Sequence, residues 1–201
     1  LPGYETDPLQ IGIAWSETLA PGSWTQAPEP ILRMDDPDAR SFERATLYKS
    51  TVLHDPQERL DYPFVMYYNA KQKGVWVERI GMAVSRDMIH WERYGTGAVI
   101  DQGIEDRWNI SGDPQIIRYK DLWVMHYFVG VDAKAYDTLA CSRDLAHWTK
   151  WEGEPLIQPS AEFDKTFAHK PYVLKYKGRV YHFYCAVGNC GRGIAVAVSE
   201  E

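Results

Sequence analysis

The chain has 201 residues, enough for one domain with a sizeable core. Its 22 Lys and Arg stand against 28 Asp and Glu, and the net charge of −6 argues against nucleic acid or an anionic membrane surface as partner. No run of about 18 apolar residues exists to span a bilayer, and no signal peptide is visible in a sequence that opens on Leu1 rather than Met.

In chain order, residues 11–16 and 24–32 read as the outer two strands of one unit, with Pro21-Gly22 turning between them. Residues 42–53 open the next unit, 55–61 form a polar connection, and 64–68 are apolar on both faces: Phe64, Met66 and Tyr68 on one side, Val65 and Tyr67 on the other. A strand half exposed to water would alternate with polar residues, so this strand belongs to a sheet covered on both sides. The unit closes at 81–91. Three further strand-like runs follow at 112–119, 122–130 and 139–148. Shifted by 57 residues, they recur at 171–177, 180–187 and 195–199. Internal repetition of apolar strands predicts sheets stacked around an axis, an all-β fold of the β-propeller type with four-stranded blades. Aromatic residues, 13% of the chain, suit the wedges between blades. The pieces fall at about 1–41, 42–100, 101–158 and 159–201 of a single partial domain, some three and a half blades. Five blades at this repeat length would make a parent domain of about 280 residues.

The three cysteines make no metal pattern. Cys141 sits inside a strand and reads as a buried thiol, while Cys185 and Cys190 are close enough to bridge around a turn.

Two segments share a nine-residue pattern. Ala83 and Ala140 each begin a stretch Ala-x-Ser-Arg-Asp-x-x-x-Trp, with Ser85-Arg86-Asp87 and His90-Trp91 in one, Ser142-Arg143-Asp144 and His147-Trp148 in the other. Together with the Asp113-Pro114 opening of an inner strand, they resemble the five-bladed propeller glycosidases, the clans of glycoside hydrolase families 32, 43, 62, 68 and 117. The resemblance covers essentially the whole chain. It implies a glycoside hydrolase acting on a terminal bond of a plant or algal polysaccharide or oligosaccharide, inverting or exo-acting. It further implies a carbohydrate partner and a secreted or periplasmic location. The alternative is a propeller that binds carbohydrate without cleaving it. A protein-interaction scaffold of the kelch or WD type lacks its double-Gly or Trp-Asp signature here.

Residues near the start of each inner strand converge on one mouth of a propeller's channel. Aligning the repeats puts Arg44, Asp113 and Lys170 at one level, with Glu43, Gly112 and His169 one residue earlier. In the resembling families this level holds the reacting carboxylates, which makes Asp113 a catalytic candidate. The next blade reads Ala168-His169-Lys170-Pro171 where family 43 has a Glu-Gly-Pro acid, and family 117 uses a His acid. His169 is therefore the second catalytic candidate, on the expectation that Asp113 would favour its protonated form. Glu43, Arg44, Trp108, Asn109 and Lys170 are candidate substrate-binding residues. Trp108, Phe167 and Phe42 offer flat faces to a sugar ring and Asn109 hydrogen bonds. The cations Arg44 and Lys170 also suit a substrate carrying a carboxylate or sulfate.

Glu105 and Glu162, 57 apart, read as structural groups in the connections, and the repeated His90 and His147 as packing. His54, His126 and His182 share no repeat position and no spacing of zinc ligands, so neither metal nor cofactor is expected, although some family 43 enzymes hold a cation in the channel.

Overall fold

A computed structural model describes residues 7–189 and 191–199. Cys190, and with it the question of a bridge to Cys185, lies outside the described residues. Cys141 is an unbridged, partly buried thiol.

Two short strands, β1 (Ala14–Trp15) and β2 (Thr25–Gln26), form a separate antiparallel ribbon, and a 3₁₀ turn at Ser41–Glu43 leads into the main sheet. That sheet is built in units. The first holds β3 (Thr46–His54), β4 (Phe64–Lys71), β5 (Val77–Ser85) and β6 (Trp91–Arg93), each antiparallel to the next. The second repeats it with β7 (Asn109–Tyr119), β8 (Leu122–Val131), β9 (Lys134–Ser142) and β10 (Thr149–Lys150). The third comprises β11 (Phe167–Tyr176), β12 (Arg179–Gly188) and β13 (Gly191–Val198). Short parallel pairings join successive units, Glu78 to Ile110 and Ala135 to Phe167. This is the all-β, four-strand repeat of a β-propeller, as the sequence predicts.

The apolar runs are buried on both faces for the reason the pattern gives. Val65 and Tyr67 of β4 face the second unit, where they pack with Ile116, Met125 and Tyr127. Met66, Tyr68 and Ala70 point the other way, against Ile11, Leu32 and Phe42. Burying a large apolar side chain contributes about 1.5–3 kcal/mol, so these two interfaces hold the units face to face. The first strands of the units also touch along the axis: Thr51 Oγ1 donates to Pro114 O at 2.7 Å, and Gln115 Nε2 donates to Val173 O at 3.0 Å.

The Ser-Arg-Asp…His-Trp segments form the same turn twice. Ser85 Oγ accepts from the Asp87 and Met88 N–H groups, and Asp87 Oδ1 from those of Ile89 and His90. Trp91 Nε1 then donates to Met88 O at 2.7 Å. Ser142, Asp144 and Trp148 repeat every one of these bonds. The reading of His90 and His147 as packing is corrected here. Their side chains are 87% and 90% exposed and lean out on an Asp87 or Asp144 carboxylate at 2.7 Å.

Candidate active site

Each first strand breaks its ladder at the same place. The register slips between Tyr48 and Thr51 in β3, between Gly112 and Gln115 in β7, and between His169 and Tyr172 in β11. The residue entering each bulge has positive φ: Lys49 at 52°, Asp113 at 53° and Lys170 at 65°. Pro114 and Pro171 follow the last two, where the missing N–H leaves no ladder partner unsatisfied. A bulge re-aims a side chain, and here it turns Asp113 and Lys170 into one cavity of about 650 Å³.

Asp113 is held in place by a side chain from the neighbouring unit. The fully buried Asn69 accepts from the Asp113 backbone N–H at 2.8 Å, and its Nδ2 donates to Asp113 Oδ1 at 3.0 Å. Gly112 is required beside this clamp, because a Cβ there would stand 2.7 Å from Asn69 Nδ2. The Lys170 ammonium lies 3.8 Å from Asp113 Oδ2. Sequence reasoning thus placed Asp113, His169 and Lys170 together, and the structure brings all three to the same cavity.

His169 is one residue before its bulge, its ring set against the edges of Phe128 and Phe167. Burial lowers its pKa to about 4; the Cys185 carbonyl and Asp113 pull upward, and Lys170 and Arg192 push down. The expectation of a protonated imidazole is overturned for that reason: loss of water outweighs one carboxylate. With the Cys185 carbonyl 3.0 Å from Nδ1, the hydrogen sits on Nδ1 and Nε2 carries the free lone pair.

Arg44 does not reach this level. The bulge equivalent in the first unit is Lys49, five residues later, and Arg44 is exposed after the 3₁₀ turn, donating to Met34 O and Asp36 O. Glu43, one residue before it, is sealed away from the cavity. Its carboxylate receives Arg40, Arg93 and Tyr68 at 2.6–2.7 Å. Burial alone would raise its pKa, and the charge and hydrogen bonds of Arg40, with Tyr68, hold it below the ordinary value instead. Asn109 turns inward, donating to Ile104 O and Arg107 O. Phe42 is buried in the core beneath the Arg40 guanidinium. Trp108 and Phe167, by contrast, line the cavity. Glu105 ties its connection to β5 through Arg79, and Glu162 ties its connection to the turn after β12 through Asn189.

One residue that sequence reasoning missed is Glu78. It lies in the cavity wall at the start of β5, 3% exposed, and repeats at 57-residue spacing as Ala135 and Arg192, which line the same cavity. Tyr48 donates to Glu78 Oε2, and Trp76 Nε1 donates to Oε1 at 2.5 Å. Burial raises the Glu78 pKa against these two hydrogen bonds, and the Asp113 charge adds to the rise. The signal was available: a lone carboxylate at the head of a strand that is apolar from Ile80 to Val84.

Among the described residues, no group of three or more His, Cys, Asp or Glu is arranged for a metal. His126 and His182 approach edge to face, with Asp137 Oδ2 2.9 Å from His182 Nε2. Two imidazoles and one carboxylate are a poor match for calcium, which takes six to eight oxygens.

No family model matches the sequence, and no curated protein does. Solved structures do. A BT0996 complex with RGII and a structure described as a glycoside hydrolase each superpose with a TM-score of 0.86 at 42% identity. Each match covers 96% of this chain and 58% of the other protein, so the chain spans a little over half the length of either. A thermostable family-43 glycoside hydrolase matches at TM-score 0.70 and 16% identity, over 96% of this chain and 64% of its own. An α-L-arabinofuranosidase from Lactobacillus brevis matches at 0.66 and 14%, over 88% and 56%. At such identities the likeness is one of fold. The chain therefore has the β-propeller fold of these glycoside hydrolases, and it resembles two of the structures in sequence as well, over nearly its whole length.

Proposed function

We propose that this chain forms the substrate-binding mouth of a glycoside hydrolase that cleaves a terminal glycosidic bond of a plant or algal saccharide by inversion. The observation that carries the reading is Asp113. It is a carboxylate turned into a deep cavity by a strand bulge and fixed there by a buried amide, beside a lysine and aromatic walls. Aromatic faces such as Trp108 and Phe167 suit sugar rings, and a fixed carboxylate suits the charge that develops at the anomeric centre. Asp113 is assigned as the ionised carboxylate, Lys170 as its neighbour and a hydrogen-bond donor to sugar, and His169 as a neutral acceptor through Nε2. Of the two close matches, one is named for a glycoside hydrolase and the other for a complex with RGII, which supports a carbohydrate substrate.

We also infer a ring of five blades. The outer face of the third unit carries Tyr172, Leu174 and Tyr176 of β11 with Ile194, Val196 and Val198 of β13, all exposed. That apolar face matches in character the faces that the first two units bury against each other.

Turnover of a panel of nitrophenyl arabino-, xylo- and galactosides tests the reading. Asp113→Asn keeps the shape and removes the charge, and turnover falls at least about a hundredfold while the sugar still binds. Binding without turnover by the unaltered protein would favour the non-catalytic alternative. Full activity in Asp113→Asn would remove this cavity as the catalytic site.

A further inference from the structure

We propose that Glu78 is the proton donor of this site, an assignment that rests on the glycosidase reading above. Four observations meet at this residue. Glu78 lines the cavity that holds Asp113. It is 3% exposed, and the partners given to its two oxygens are a phenol and an indole, both neutral. Three other buried carboxylates are met differently: Glu43 by Arg40 and Arg93, Asp55 by Arg59, and Asp164 by the backbone N–H groups of Ser160 and Ala161; Asp137, beside His182, is also raised by burial, but it does not line this cavity. Those groups are held as anions; Glu78 is provided for as an acid. Its neighbour at the equivalent place in the next repeat is Ala135 and, in the one after, Arg192. A structural requirement of the fold would not be met by three residues of such different chemistry.

The hydrogen bonds also say where the proton sits. An indole N–H only donates, so Oε1 facing Trp76 must accept. The acid hydrogen therefore belongs on Oε2, where the bond donated by the Tyr48 hydroxyl is stronger to the anion and opposes protonation without outweighing burial. Burial and the Asp113 charge both favour that protonated state, and together they outweigh the opposing charge of Lys71. In the reaction, Glu78 gives this proton to the glycosidic oxygen as the bond from that oxygen to the anomeric carbon breaks. Water adds to the anomeric carbon and releases a proton through the ionised Asp113, and solvent restores the proton of Glu78. Acid and base are thereby two different carboxyls of one cavity, with burial holding Glu78 toward its protonated form. His169 takes no part in the proton donation.

The experiment compares methyl and 2,4-dinitrophenyl glycosides of whichever sugar the unaltered protein hydrolyses from the nitrophenyl panel. Glu78→Gln is expected to lose at least about a hundredfold on the methyl glycoside and less than about tenfold on the dinitrophenyl one, whose leaving group needs no proton. It also loses the high-pH limb of the rate profile, which His169→Gln keeps. Tyr48→Phe covers the case in which Glu78→Gln does not fold. The Tyr48 hydrogen bond favours ionised Glu78, so its removal shifts the high-pH limb upward. Equal losses on the two glycosides, a high-pH limb that survives Glu78→Gln, or a limb unmoved by Tyr48→Phe would each overturn the assignment. Absence of turnover on every glycoside by the unaltered protein would take down the glycosidase reading and this assignment with it. Turnover that Glu78→Gln leaves intact takes down only the assignment.

Discussion

The rim and the axis of this molecule repeat in opposite ways. At the rim, the turns at Ser85–Trp91 and Ser142–Trp148 share their residues and their hydrogen bonds, one for one. At the axis, the bulges at Lys49, Asp113 and Lys170 share a backbone conformation and differ in side chain. The cavity position at Glu78, Ala135 and Arg192 differs even more. Where residue and geometry are both kept, the repeat is serving the architecture. Where geometry is kept and residues diverge, the scaffold is presenting different chemistry from equivalent places. The fold is therefore carried by the part that looks most like a motif, and the candidate site by the part that looks least like one.

The largest expected effect tests the rim. Trp148 packs on the central core, its ring edge to face with Tyr67 of the first unit at 5.6 Å. Tyr67 in turn donates to Leu145 O, inside the same turn that Trp148 closes. Trp148→Ala removes a ring shared by two units and should cost about 3 kcal/mol. Trp91→Ala, whose ring borders the smaller cluster on the other face, should cost less. Chemical denaturation of both variants checks this. A Trp148→Ala loss below about 1 kcal/mol would mean that the rim turn is a surface ornament and that the contrast with the axis fails.

The axis is tested at Asn69. Asn69→Leu preserves volume and takes away both bonds to Asp113, leaving a backbone N–H and a carboxylate oxygen without their partners. An unsatisfied buried group costs about 1–3 kcal/mol, so a loss of about 2 kcal/mol is expected, together with a fall in turnover from a misplaced carboxylate. Phe128 stands at the equivalent place in the next unit, where its ring packs in the cavity wall against His169 and can make no hydrogen bond to the bulge residue. Phe128→Leu should therefore change turnover far less. Comparable falls in both variants would show that the clamp has no special relation to the site.

Much of this architecture was legible in the sequence and some of the site was not, for one physical reason each. Apolar strands and the Ser-Arg-Asp turn are local, and a local pattern survives without knowledge of its partners. The bulge was legible at Asp113 and Lys170, which lie 57 residues apart. It was misplaced in the first unit because Lys49 and Glu78 are 29 residues apart, while Asp113 and Ala135, like Lys170 and Arg192, are 22 apart. Five of the seven additional residues fall in the long connection between β3 and β4, around the polar stretch 55–61, and two in the turn between β4 and β5. A fixed 57-residue step back from Asp113 falls on Pro56; the true equivalent, Lys49, lies seven residues earlier, and Arg44 matches neither place. Glu78 was passed over because its meaning depends on Tyr48 and Trp76, which come from a different strand and from the preceding loop. The His169 charge state needed knowledge of burial, which no neighbouring residue name supplies.

The smallest effect separates the electrostatics of the rim from its packing. Burial works to raise the Asp144 pKa, and hydrogen bonds from the His147 and Ala146 backbone and the His147 ring overcome it, bringing the carboxyl to about 2. A carboxyl depressed below its unfolded value of about 3.9 contributes stability that is present above that pH and lost as pH falls through the folded pKa. Asp144→Asn keeps an oxygen for the two backbone N–H groups and removes the charge. The Asp144 side chain is 49% exposed, so solvent screening reduces the effect to about 1 kcal/mol at pH 7. Denaturation at pH 7, 4 and 2.5 should show that difference nearly whole at pH 7, starting to shrink near pH 4 and mostly gone at pH 2.5. A difference that stayed constant across the three values would assign the turn to hydrogen-bond shape alone, with the carboxylate charge contributing nothing. Trp148→Ala, in contrast, should lose the same stability at every pH, because the area that it leaves unburied carries no proton.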